Sequence, residues 1–459
     1  MTVRTVQLRA QVAERRDSET LTPLICGTVL NPLNSSMIAP TLVPIAAAFA
    51  APMSQAEWLI AALYLATAVG QPTMGRLADR FGPRRVQLAG FVSVVLGCIG
   101  AALAPSLGFL IAMRVLIGIG TSSAYPAAMT TLRRRSERLG KAVPKWELTA
   151  IAVVSQISLV IGPTLSGVIL AFKDWRWTFL ASIPIAVAGF VLALAWLEPD
   201  APREDPAPLW NEIDAPSIIL FAAGMLCAIF FSMNLTAPQW WLIALAVAFF
   251  AALIVVSLRR NDPFIDVRML VTNGALTRTY MRSAATSLIF YVELYGFAQW
   301  LEQARGLSPA TTGLVMLATP LVAMFCASVF ASRQPTHPSL IIGTAVLTVA
   351  CIALAFATAA TPPMLLVAIA ALFGIPNGLI GISNQTALYR QVPAQYLGTA
   401  SGLFRTFQYL GAILSSSALA AAFGTHATDA RFHGLVIALA CIGLITTLGT
   451  IFDRSLAKE

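Results

Sequence analysis

The sequence predicts an all-α polytopic membrane protein of fourteen spanning helices, and three observations carry that prediction. Hydrophobic residues make up 57% of the 459 and charged residues only 11%, against about 25% charged in an ordinary soluble domain; the mean hydropathy is +0.76. Apolar runs of about 20 residues, the length that crosses hydrocarbon, recur along the whole chain. The basic residues fall in short segments between those runs rather than along one polar face.

Taken in order, the runs place spans at 22–46, 57–78, 84–104, 107–130, 148–171 and 176–197, then 214–234 and 238–257, then 276–300, 309–331, 339–358, 363–387, 398–423 and 433–453. The expected organisation is a tail over 1–21, a six-helix bundle over 22–197 and an acidic linker over 198–213. Two additional helices over 214–257, a second six-helix bundle over 258–453 and a short tail over 454–459 complete it. Runs this long and apolar exclude the alternating pattern of barrel strands, so the backbone groups inside the bilayer must be paired within helices. The stretch from Glu198 to Asp214 carries six acids against Arg203 alone, and Pro199, Pro202, Pro206 and Pro208 break any helical pattern there.

With fourteen spans, 22 Lys and Arg residues fall on one side of the membrane and 4 on the other. Positive residues mark the cytoplasmic side, so both termini are expected there and the protein in the cell's inner, plasma membrane. Met1 to Thr20 mixes four arginines with three acids and has no cleavage site after a short apolar core, which reads as a cytoplasmic tail. The net charge of +9 does not point to nucleic acid, because the basic residues are scattered among loops. All six cysteines lie inside apolar runs without CxxC spacing, so neither a disulfide framework nor a metal site is expected. No nucleotide loop, nucleophile elbow or metal cluster accompanies a substantial soluble segment; an enzyme and a cofactor are not expected.

The densest charged segment is Gly75-Arg76-Leu77-Ala78-Asp79-Arg80-Phe81-Gly82-Pro83-Arg84-Arg85, between the second and third spans. It resembles the G-x-L-a-D-r-x-G-r-r loop of the major facilitator superfamily. Gly75 and Gly82 permit close approach and tight turning, and Asp79, Arg80, Arg84 and Arg85 supply charge at the membrane surface. The resemblance implies two six-helix bundles that rock against each other, with this loop latching the outward-facing state. In the fifth span, Ser158 to Gly167 resembles the family's antiporter motif G-x-x-x-G-P-x-x-G-G, with Gly162, Pro163 and Gly167 matching and Ser158 and Ser166 in place of glycine; a generic small-residue packing face is the plainer account. Arg114, followed by Gly118 and Gly120, resembles the family's R-x-x-x-G-x-G stretch, although Ile117 stands where glutamine is usual. A guanidinium within a span is either functional or snorkels to a headgroup.

The extra helix pair, Asp174-Trp175-Arg176-Trp177 and Pro263 to Arg268 resemble the fourteen-span drug:proton antiporters. That family carries an aspartate in its first span where this chain has Asn34, and asparagine cannot exchange a proton. Glu293 is the acid well inside a span, and with Arg114 it is the candidate for proton coupling. The alternative for Glu293 is a wet outer vestibule or a fixed buried partner. Polar and aromatic groups on otherwise apolar helices form the candidate substrate cavity: Asn34, Tyr64, Gln156, Tyr291, Tyr295, Asn377, Asn384, Arg405 and Gln408.

The function implied is that of a proton-coupled exporter of lipophilic drugs or related small molecules, acting as a monomer in the lipid bilayer by alternating access. Export of one anionic or zwitterionic metabolite or lipid is an alternative, suggested by Arg114, Arg405 and the missing first-span acid. A membrane scaffold or sensor is a second.

Overall fold

The computed structural model describes residues 3–140, 145–200, 214–233, 238–260, 263–265, 267–331, 335–358, 360–392, 397–424, 426–453 and 455–456; some side chains within these ranges, those of Asp79 and Gln156 among them, lie outside the description. Among the described residues every regular element is a helix. A helix or a run of consecutive helices occupies each of the fourteen predicted places. Among the described residues nine stretches, of which Pro83–Ala102, Thr336–Ala355 and Asp429–Ile451 are examples, are long and apolar enough to span a membrane by length and composition. At the other places the helices are shorter, interrupted or more polar.

Local chemistry explains the interruptions. The first helix, Val3–Met37, starts far ahead of the predicted 22 and runs through Pro23 and Pro32. Past Pro32 its polar side chains bond back along the helix, with Ser35 Oγ donating to the Asn31 carbonyl at 2.7 Å and Asn34 Nδ2 to the Leu30 carbonyl at 2.9 Å. It ends at Met37, and Pro40 and Pro44, which remove backbone donors, divide the rest of the predicted span into a 3-10 turn, Ala39–Thr41, and a short helix, Leu42–Ala48. The ninth predicted span is also divided. Gly274–Val292 passes into a π turn, Glu293–Phe297, before resuming as Ala298–Gln303, the wider register that marks functional positions in many helices.

Two six-helix groups emerge from the packing. In the first, Val3–Met37 packs on Lys145–Phe172 and Ile183–Trp196, and Trp58–Phe81 packs on Leu107–Ser122, which in turn packs on Pro83–Ala102. In the second, Gly274–Val292 packs on Leu397–Phe423, Ala318–Cys326 on Pro363–Gln391, and Thr336–Ala355 on both Pro363–Gln391 and Asp429–Ile451. The groups meet along a seam made by 58–81 against 397–423 and by 145–172 against 309–326. The additional helices, Ala215–Met233 and Trp240–Arg259, pack on each other, and 215–233 leans on 397–423 and 58–81.

Large apolar side chains cover the outside of the bundle. Phe172, Phe356, Met364 and Phe452 are each more than three-quarters exposed, and Val247, Leu365 and Ile445 more than half. A soluble monomer rarely presents such continuous apolar surface, whereas lipid receives it without cost.

Candidate functional site

The hairpin at 75–85 is built from backbone geometry outwards. Gly82 ends the 58–81 helix with φ +94°, and a Cβ there would fall 2.0 Å from Asp200 Cγ, so glycine is required both for the turn and for the approach. Pro83 opens the next helix at its first position. Asp200 then accepts from the Arg85 amide at 2.8 Å and the Arg84 amide at 3.4 Å, a carboxylate at a helix N-terminus where donors are otherwise unpaired. The Arg84 guanidinium donates to the Leu194 carbonyl at 2.7 Å. Arg134 lies 4.0 Å from Asp200, and Arg138 pairs with Glu198. The acidic segment read from sequence as a linker thus begins as the hairpin's partner; its remainder, 201–213, lies outside the described residues. Arg76 reaches furthest, donating to the Pro263 carbonyl of the second half at 2.8 Å. Asp79 lies on the last turns of the 58–81 helix with its side chain outside the description, and Arg80, half-buried, follows it.

The fifth-span motif stands at the seam. A Cβ on Gly167 would sit 2.8 Å from the Pro309 carbonyl, and one on Gly313 would sit 2.8 Å from the Pro163 carbonyl. The two halves therefore touch backbone to backbone, joined by Thr164 Oγ1 donating to the Gly313 carbonyl at 3.2 Å. Ser158 and Ser166, which replace glycine in the pattern, turn their hydroxyls back to the Val154 and Pro163 carbonyls of their own helix. Gly162 packs against Ser36 of the first helix.

Between these features lies a belt of tyrosines. Tyr64, fully buried, shares a 2.9 Å hydrogen bond with the Tyr295 hydroxyl, which also donates to the Ser35 carbonyl at 2.7 Å. Its ring lies 4.9 Å from that of Tyr291 and 5.7 Å from that of Tyr409. Tyr291 and Tyr295 stack at 6.0 Å, and Gln71 donates to the Tyr409 hydroxyl at 2.9 Å. Tyr64 and Gln71 belong to one half and the other three tyrosines to the second, so the belt stitches the seam at its middle. Arg405 lies over the Tyr125 ring at 4.3 Å, again across the seam. Arg114, 1% exposed, donates through Nε to the Leu59 carbonyl at 3.0 Å and through Nη1 to the Asn34 carbonyl at 3.1 Å. It does not snorkel.

Several residues grouped by sequence are separated in space. Glu293, 3% exposed, occupies the first position of the π turn and accepts from Thr319 Oγ1 at 2.9 Å. It lines a small internal space with Ile289, Cys351, Phe373 and Phe432, inside the second six-helix group rather than at the seam. Arg114 belongs to the other half, so the structure does not bring the two together. Asn384 accepts from Arg282 Nε at 2.7 Å, in a cluster where Arg282 and Arg278 lie 3.6 and 3.0 Å from Asp453. It is thus part of an ionic cluster near the start of the 274–292 helix and not of the tyrosine belt. Asn377 and Gln408 are half-buried and join none of these bonds. Gln156 has its side chain outside the description.

Gln71 and Tyr409 belong to the wider set of polar and aromatic groups that the sequence offers for a central cavity, whereas Glu57, at an outer helix end, had no expected role. Glu57 is fully buried and accepts from Gln299 Nε2 at 2.6 Å, a bond across the seam at the end away from the hairpin. The signal was available in an acid set immediately before an apolar run, facing an amide set within another.

The seam, the glycine contacts and the hairpin together match a known architecture. The model of the Major Facilitator Superfamily matches residues 24–416. The chain belongs to that superfamily. A Bacillus subtilis (strain 168) protein described as "Uncharacterized MFS-type transporter YwoD" is 30% identical over 444 residues, covering 95% of this chain and 97% of that one. "Riboflavin transporter RibZ" of Clostridioides difficile (strain 630) is 25% identical over 88% of each chain, and "Tetracenomycin C resistance and export protein" of Streptomyces glaucescens is 24% identical over 89% of this chain and 76% of that one. Among solved structures, a peptide transporter POT in complex with sulfate superposes with a TM-score of 0.66 at 16% identity, covering 93% of each chain, which establishes the shared fold. This superfamily member is accordingly a multi-pass membrane transporter and not an enzyme.

Proposed function

We propose that this transporter is a proton-coupled exporter of lipophilic small molecules, moving them by alternating access across the plasma membrane with both termini in the cytoplasm. One observation carries the reading: the tyrosine belt joins the two halves at mid-seam, where neither half alone encloses a ligand. Separating the halves at either end would open that belt to one side, and the glycine-to-carbonyl contacts and the Glu57–Gln299 bond are what must part at the far end. The bundles over 22–197 and 258–453 would rock as units, with 198–213 and the pair over 214–257 as their flexible tie and brace. Monomeric action suits a seam contained within one chain.

Glu293 remains the candidate for carrying the proton. It is buried beside a hydroxyl donor at the π turn, two residues from each of Tyr291 and Tyr295, so a change in its charge would bear on the helix that forms the belt. Arg114, held by two carbonyls beside Tyr64 and Tyr295, would link the belt to the first helix. Relatives described as exporting tetracenomycin C and transporting riboflavin support small-molecule cargo. Export of one anionic metabolite is the second reading, favoured by Arg114 and Arg405 at the seam. The test is reconstitution into vesicles with an imposed proton gradient: the reading requires cargo flux that reverses when the gradient is reversed.

A further inference from the structure

The chemistry of the belt narrows the cargo, on the assumption that the transport reading above holds. Two arginines bracket the four tyrosines. Arg114 uses Nε and Nη1 on backbone carbonyls, while Nη2 is buried with no hydrogen-bond partner; the Asn34 carbonyl it holds is next to the Ser35 carbonyl that receives the Tyr295 hydroxyl. Arg405 stands four residues before Tyr409 on the 397–423 helix, over the Tyr125 ring. From Tyr64 to Gln71, which meets Tyr409, the helix advances seven residues, or about 10 Å, the length of two or three fused rings. Between these ends the donors and acceptors are hydroxyls, one amide and ring faces.

A cage of aromatic rings can also hold a cation through its negative ring faces. Here two guanidiniums oppose that, and Arg405 already lies over the face of Tyr125. The Glu57 carboxylate is held by Gln299, and that of Glu293 accepts from Thr319 inside the second bundle. A buried guanidinium nitrogen without an acceptor is costly to maintain, and a planar anion is the ligand that satisfies it. The tyrosines suit the remainder of such a ligand, because ring–ring contacts at 5 to 6 Å can be exchanged for contacts with an inserted ring.

We propose that the cargo is a planar aromatic anion, its rings inserted among Tyr64, Tyr291, Tyr295 and Tyr409 and its acidic group bound by Arg114 or Arg405. The full chain in nanodiscs is titrated with four probes of one size: 2-naphthoate, neutral 2-naphthamide, cationic (2-naphthyl)methylammonium and saturated decahydro-2-naphthoate. The proposal expects 2-naphthoate to bind at least tenfold more tightly than the cation and the saturated acid. It also expects Arg405→Gln to weaken 2-naphthoate about tenfold while changing 2-naphthamide less than threefold. Arg405 is the first choice because it is less buried than Arg114; Tyr409→Phe, which keeps the ring, serves as a second variant and should weaken 2-naphthoate more than 2-naphthamide. Equal or tighter binding of the cation, equal binding of the saturated acid, no binding of any probe, or uniform loss of all probes in both variants overturns the assignment. The exporter reading fails separately, by absence of gradient-driven flux, whatever the order of these affinities.

Discussion

Single residues decide how closely the halves can approach. Gly167 and Gly313 each stand where a methyl group would press into the opposite backbone at 2.8 Å. Gly167→Val should therefore hold the far end of the seam apart and lower transport at least tenfold, with the protein still present in the membrane; transport rate normalised to protein content checks it, and an undiminished rate would mean that the contact is incidental. Asp200 acts at the other end as acceptor for two backbone amides of the hairpin. Asp200→Ala leaves those donors seeking water and should cost about 1–3 kcal/mol, read as a fall of a few degrees in the thermal unfolding midpoint. These residues differ in legibility. Gly82, Asp79 and the arginines were readable because the pattern is contiguous, whereas the partnership of Asp200 joins segments more than a hundred residues apart and leaves no local trace.

At the scale of elements, the spans were legible because apolar length is a direct consequence of crossing hydrocarbon. Their internal breaks were legible only where proline marks them, as at Pro40 and Pro44. The π turn at 293–297 carries no such mark. Its register is set by packing, and it decides which way Glu293 faces, so an acid expected with Arg114 faces Thr319 inside the second bundle. Periodicity shows that Tyr291 and Tyr295 share a face but not which helix that face meets. The additional helix pair is tied to the seam through its ends. Buried Asp214, in a left-handed conformation at φ 53°, accepts from the Phe264 amide at 2.8 Å and lies 3.2 Å from Arg260, next to the Pro263 carbonyl that receives Arg76. Phe221 packs on Phe264 at 5.8 Å. Asp214→Ala should release this corner, lowering the unfolding midpoint by a few degrees and increasing proteolysis near 260; unchanged stability and cleavage would mean that the pair is held by lipid-facing packing alone.

For the whole molecule, the architecture assigns separate tasks to separate regions. The hairpin and its acids organise one end, the glycine contacts and the Glu57–Gln299 bond close the other, and the tyrosines lie between them where the halves meet. Glu293 lies off the seam, so the proposed coupling between proton and cargo would pass through the 274–303 helix and its π turn rather than through direct competition for one site. That helix carries Tyr291 and Tyr295 on the seam and Glu293 in the bundle, and it is the one element common to both tasks. The most direct test of the account reconstitutes the protein and its Glu293→Gln variant into vesicles and measures gradient-driven cargo flux alongside exchange of cargo at equal pH. The account predicts that the variant loses gradient-driven flux about tenfold or more while retaining exchange; full gradient-driven flux in the variant would contradict it.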